Sequence, residues 1–345
     1  MAPAAIAAAA AALEAGALVA FPTETVYGLG ADAENPAAVA AIYAAKGRPN
    51  DHPVIVHVAP GADLAYWAAD IPSEAQQLAD AFWPGPLTLI LKRAAHIPDA
   101  VSGGQDTVGL RCPSHPVAIA LLQAFKNGKG GLAAPSANKF GQVSPTTAQH
   151  VRDEFAGEVG AGRPVHDVLD GGASQVGIES TIVDLSRLAT HGPVLLRPGH
   201  ISADAIAAVI DQLPAAPDAA APRASGTLES HYAPHTPVAM QDRATLAATL
   251  TRLRLAGRKV ALICYSALPE ADAIVRLPAV PEGFAHALYA SLRTLDLAGA
   301  DVILVEAPPQ DAAWLGVNDR LRRAAHGSTG IVHGLLNHDT PLPRN

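Results

Sequence analysis

The sequence predicts an α/β chain built as two domains, on three observations. From Gly16 to about Gln212, short β-branched runs alternate with alanine-rich stretches of helical spacing. Between Leu213 and Pro237 the composition shifts to Pro, Ala, Ser and Gly, and Pro214, Pro217, Pro222, Pro234 and Pro237 stand too close together for a helix or a central strand. The 345 residues also exceed what one hydrophobic core usually supports. The expected boundaries are a first domain over 1–212, a linker over 213–237 and a smaller domain over 238–345.

Taken in order, Ala2 to Ala12 reads as a helix that ends near Gly16; no Lys or Arg precedes it as a signal peptide requires. Strands are expected at Ala17–Ala20, Val54–Val58, Leu87–Leu91 and Thr181–Asp184, where β-branched residues cluster between breakers. Beyond the linker, Lys259–Cys264 and Asp301–Glu306 have the continuous apolar character of buried parallel strands, with helical patterns at Thr245–Ala256 and Phe284–Ala298. The stretch Trp314–Ala324 reads as a capped amphipathic helix end. No window reaches the ~20 strongly apolar residues a bilayer span needs, so no membrane insertion is expected.

With 49% hydrophobic and 16% charged residues, the chain has enough apolar material for packed cores. Its net charge of −8 opposes broad attraction to nucleic acid, so an anionic ligand calls for a local basic cluster. Cys112 and Cys264 stand far apart and outside any CxxC pattern, which fits a reducing cytoplasm better than a disulfide framework or a zinc site. Gly28-Leu29-Gly30 lacks the third glycine of a dinucleotide fingerprint, and neither GxxxxGK[ST] nor GxSxG occurs.

Several segments carry groups that could do chemistry. Lys46-Gly47-Arg48-Pro49 places two cations at a helix end, ahead of an extended turn, where phosphate is a natural partner; helix-terminal cations that answer the dipole are an equally common reason for such a pattern. Phe21–Gly28 follows the first strand at the end where open α/β sheets bind ligands, although Thr23, Glu24 and Thr25 could equally cap a helix. Arg111, Ser136 with Asn138, and Arg197 each stand near a proline at a strand end. His57 lies inside an apolar strand, as a core histidine or as a ligand.

Together these segments resemble the threonylcarbamoyl-adenylate synthase family, in its long Sua5-type form: a YrdC-like domain followed by a Sua5 C-terminal domain. The motifs are FPTETVYGLG from Phe21, KGRPNDHPVIVHV from Lys46, WPGPLT from Trp83, VGLRCPSHP from Val108, APSAN from Ala134, SPT from Ser144, GIESTIVD from Gly177, LRPG from Leu196 and SHYAP from Ser230. The resemblance implies a twisted open mixed sheet with a large cavity, then a Rossmann-like domain. It implies that Thr25, His57, Arg111, Ala134 through its backbone, and Ser180 contact L-threonine. It places Lys46, Arg48, His52, Thr107, Ser136, Ser144, Arg197 and His231 around ATP, with Lys46, Arg48 and Arg111 catalytic and Mg²⁺ on the phosphates. The implied reaction joins L-threonine, bicarbonate and ATP into threonylcarbamoyl-AMP for a tRNA modification, completed by a downstream tRNA threonylcarbamoyl-transferase complex. The segment around His231 is then expected to fold over the site as a lid.

Two other readings compete. Double-stranded RNA binding, whether or not alongside catalysis, needs a basic concavity that the net charge disfavours. A carbamoyl-phosphate-dependent hydrogenase-maturation factor shares the YrdC-like fold but carries zinc-finger cysteines that this chain lacks.

Overall fold

The computed structural model describes residues 1–267 and 270–337. It divides into two compact units: one of Met1–Phe140 with Ser144–Thr227, the other of Gly141–Val143 with everything from Leu228 on.

The first unit is built on a mixed sheet. In chain order its strands are β1 (Val19–Phe21), β2 (Gly28–Asp32), β3 (Ile55–Val58), β4 (Ala68–Ala69), β5 (Leu87–Arg93), β6 (Thr107–Arg111), β7 (Gly131–Ala133), β8 (Asp167–Val168), β9 (Thr181–Asp184) and β10 (Val194–Arg197). They lie in the order β10-β9-β5-β6-β3-β7-β2-β1-β8, with β4 beside β5. Parallel pairs (β3 with β6, β5 with β9, β1 with β8) are interleaved with antiparallel ones.

Alternation along the strands separates core from site, because successive side chains point to opposite faces. Val56 and Val58 of β3, Leu87, Leu89 and Leu91 of β5, and Val108 and Leu110 of β6 join one large core with the helix Pro36–Lys46. The alternate residues are Ile55 and His57, Thr88 and Ile90, and Thr107, Gly109 and Arg111; Ile55 pairs with Gly109 and His57 with Arg111. A further core packs the helices Pro3–Glu14 and Pro116–Ala124 around Val19, Phe21 and Leu132.

The proline-rich stretch 213–237 is shared between the units at Thr227/Leu228. Its first part is docked rather than a bare tether. Ala215 bridges Val194, with Leu195 N–H donating to the Ala215 carbonyl at 2.9 Å, and Ala224 is buried against Ile55, Ile90 and Ile182. Proline bars these residues from the sheet interior, but its fixed φ suits an extended segment laid along an edge and over a face.

The second unit has a fully parallel sheet of β11 (Val238–Gln241), β12 (Val260–Cys264), β13 (Ala273–Arg276) and β14 (Val302–Glu306), in the order β11-β14-β12-β13. The helix Leu315–His326 differs from the amphipathic end read in the sequence, because several of its charges face inward. Asp319 binds Arg320 at 2.9 Å, Arg322 at 2.8 Å and Arg323 at 2.9 Å. Arg323 donates to the Leu228 carbonyl and the Arg320 guanidinium lies over the Tyr232 ring. Periodicity sees an arginine as polar; only the tertiary structure supplies the buried partner that makes its burial tolerable. Among the described residues no helix is long and apolar enough to cross a membrane.

Candidate active site

The site grows from the ends of β1, β3, β6, β9 and β10. The loop Thr23–Tyr27 joins β1 to the antiparallel β2, so it is a strand-to-strand loop rather than the helix-capping turn weighed from sequence. Thr23 Oγ1 folds it by donating to the Val26 carbonyl at 2.6 Å, and it lies 2.9 Å from Thr25 Oγ1. The loop is stitched to the segment before β9: Val176 N–H donates to the Glu24 carbonyl and Gly177 N–H to that of Thr25. Glu24 enters a buried pair with Arg111, its Oε1 accepting from Nη2 at 2.6 Å.

His57 faces the same region from β3 and meets the Phe21 ring edge-on. Burial, then the neighbouring Arg111 charge, lowers its pKa to about 3, so the ring is neutral at ordinary pH. Its Nδ1 is buried without a hydrogen-bond partner among the described residues. Ala134 follows β7, with its N–H donating to the Ile55 carbonyl. Ser180 Oγ is 2.8 Å from Thr88 Oγ1 and accepts from Arg197 Nη2 at 3.1 Å.

A second group of cations collects around Lys46. The helix Pro36–Lys46 stops at Gly47, whose φ of 63° is a left-handed cap that glycine adopts without strain. Just before the cap, Lys46 is buried, and its ammonium donates to the Ser136 carbonyl at 2.6 Å and to that of Asn138. Burial, then Arg48, pushes the Lys46 pKa well down. Arg48 Nη2 donates to the Pro53 carbonyl at 2.8 Å. His52, lowered by burial and then by Arg48, meets Phe140 edge-on, and Phe140 N–H binds the Lys46 carbonyl. Ser144 donates to Glu179 at 2.6 Å.

Arg197 bonds the Ser180 carbonyl through Nε at 3.0 Å and the Ser225 carbonyl through Nη1 at 2.7 Å. Gly199 permits this approach: a Cβ there would lie 2.5 Å from the Thr181 nitrogen. Thr107 lies further along β6, lining a narrow cavity with Gln105, Arg223 and Ser225. Every residue named from the sequence therefore belongs to the first unit except His231, which belongs to the second.

Sequence reasoning weighed Glu24 as a capping or ligand-binding group and Asn138 as a polar residue beside a proline, and left Thr88 and Glu179 without a role. Glu24 carried a signal as the lone charged residue of FPTETVYGLG, whereas Glu179 shares GIESTIVD with Asp184. Thr88 and the Asn138 carbonyl carried none, because their partners lie about 90 residues away in the chain. The Cys112 thiol is pushed up to about 11 by burial and then by Glu24, which disfavours the thiolate a nucleophile needs. Among the described residues no group of three or more His, Cys, Asp or Glu could hold a metal by itself.

The first unit thus sets the buried cations Lys46, Arg111 and Arg197 around a mixed α/β sheet, and the second is a small parallel-sheet unit. A family model described as telomere recombination, covering Sua5, YciO and YrdC, matches residues 11–199. Another, described as the C-terminal domain of threonylcarbamoyl-AMP synthase, matches 201–326. The chain belongs to the threonylcarbamoyl-AMP synthase family. It is 40% identical to the threonylcarbamoyl-AMP synthase of Pyrococcus abyssi over 90% of this chain and 91% of that protein. It is 38% identical to the Bacillus subtilis enzyme of that name over 93% of each. The crystal structure of P. abyssi Sua5 complexed with L-threonine superposes with a TM-score of 0.86 at 38% identity, covering 94% of this chain and 95% of that one. None of these relatives has an RNA-binding name.

Proposed function

We propose that this protein condenses L-threonine, bicarbonate and ATP into threonylcarbamoyl-AMP and pyrophosphate. The observation that carries this reading is the pairing of two differently built cation sites in one unit. Lys46 donates to neutral carbonyls, while Arg111 pairs with His57 across the β3/β6 ladder and binds Glu24, the chain neighbour of Thr25. Membership in the family, and the L-threonine in the P. abyssi structure, support assigning threonine to the Arg111 end.

In this reading the neutral threonine amine adds to carbon dioxide derived from bicarbonate and loses a proton, which the hydroxide left by bicarbonate takes up as water. A carbamate oxygen then attacks the α-phosphorus, and the bond to the departing pyrophosphate breaks. An anion attacks an anion, so the residues chiefly supply field and alignment. Lys46, Arg48 and Arg197 hold the triphosphate, with His52, Thr107, Ser136 and Ser144 around the nucleotide. Arg111, Thr25, His57, Ser180 and the Ala134 backbone orient threonine. His231 is assigned to ATP on the motif resemblance alone. Mg²⁺ suits the donor set only as a companion of ATP, held largely by its phosphates and there neutralising charge. The product serves a tRNA-modifying transferase in the cytoplasm.

The test is pyrophosphate release with Mg²⁺ and bicarbonate, with and without L-threonine. Threonine-dependent release that Lys46→Ala abolishes supports the reading. Release indifferent to threonine, or none from folded protein, overturns it.

A further inference from the structure

Glu24 spends both carboxylate oxygens inside the protein. Oε1 accepts from Arg111 Nη2 at 2.6 Å and Oε2 from Ser114 N–H at 3.1 Å. Both side chains of the pair are almost fully buried, 3% and 5% exposed. Arg111 Nε donates to the Gly85 carbonyl, which leaves Nη1 without a partner among the described residues. The guanidinium is thus fixed on two sides, with one edge left to bind.

The charge balance at this edge differs from that at Lys46. The Lys46 ammonium donates to the carbonyls of Ser136 and Asn138, which carry no net charge, and among the described residues no carboxylate stands at hydrogen-bond distance from it. At Arg111 a buried carboxylate cancels the cation at hydrogen-bond distance. A plain anion at the free Nη1 edge feels Glu24's repulsion as well as Arg111's attraction, so its net gain there is reduced. A zwitterion still gains the directed bond to its carboxylate, and its own ammonium is favoured by the same Glu24 field.

We infer that Glu24 is a specificity-determining residue: by pairing with Arg111 it makes that subsite net neutral, so that it takes a zwitterionic amino acid and rejects simple anions. The inference rests on the threonine reading above. It accounts for how one protein sorts two substrates that both carry negative charge, sending phosphates to Lys46 and leaving Arg111 for the amino acid.

The experiment is calorimetric titration with L-threonine, without ATP, while sodium sulfate replaces sodium chloride at constant ionic strength. For the natural chain the apparent Kd for threonine is expected to stay unchanged. In Glu24→Gln, which keeps the shape and an acceptor for Arg111, sulfate is expected to compete, and selectivity for threonine over sulfate to fall roughly tenfold or more. Glu24→Asp, which keeps the charge, is expected to remain indifferent to sulfate. Competition by sulfate in the natural chain overturns the inference without needing any variant. So does a folded Gln variant as indifferent as the natural protein. Absence of threonine binding to the natural chain overturns the functional reading itself, which separates the two failures.

Discussion

The two cation sites of the first unit are built on opposite principles. Lys46 lies buried with carbonyls for partners, and burial lowers its pKa, so holding it charged carries a cost that an anionic ligand at this point would relieve. Arg111 is equally buried but carries its counter-ion with it in Glu24. The difference teaches that burial alone does not say what a cation is for. The first arrangement leaves a charge for a ligand to answer, and the second sets the orientation of a group whose charge is already answered.

Arg111→Met tests the internal pair most severely. It leaves Glu24 buried without its cation, and removing one partner of such a pair costs about 3–5 kcal/mol. Denaturant unfolding should show this loss together with loss of threonine binding. A variant as stable as the natural chain would mean that the pair is not the anchor described. Lys46→Ala should do the reverse, lowering threonine-dependent pyrophosphate release by about 10²–10³-fold while the chain stays folded, as for removal of a charge-stabilising donor. If instead its main effect is unfolding, the contrast between the two sites collapses.

His57 sharpens the comparison through pH. Its folded pKa of about 3 lies below the roughly 6.5 of an unfolded histidine, so between these values the unfolded chain binds the extra proton. Stability therefore falls as pH drops from about 6.5 toward 3, by up to about 1.4 kcal/mol per pH unit from this residue. His57→Gln should flatten that part of the curve, measured by urea titration at several pH values. An unchanged acid limb would show that the ring is not held neutral. The smallest effect is expected at Thr88→Val, which removes one bond to Ser180 while Arg197 keeps its own. A loss of about 0.5–1.5 kcal/mol in threonine binding is expected; a larger shift in ATP than in threonine affinity would place Ser180 in the other subsite.

Much of the fold was legible because its signals are local. The runs at Leu87–Leu91, Thr181–Asp184 and Asp301–Glu306 reappear as β5, β9 and β14, and the helix break at Lys46-Gly47 falls where the glycine cap sits. The strand β2, Gly28–Asp32, was missed since its residues, Gly-Leu-Gly-Ala-Asp, have little β propensity. It forms because β1 and β7 flank it and supply ladders on both edges. The proline-rich segment likewise reads as a tether, and its docking through Ala215 and Ala224 depends on a sheet assembled from distant residues.

Composition, motif order and strand patterning thus determine the α/β class, and the shift to proline marks where the chain passes between its two units, because each follows from neighbours in the chain. The tertiary structure alone decides which groups meet. Glu24 reaches Arg111 across 87 positions, Lys46 reaches the Asn138 carbonyl across 92, and Asp319 draws three arginines around itself. Such pairings depend on charge cancellation in a desolvated interior, where a partner's distance in space sets the energy and its distance in sequence sets nothing.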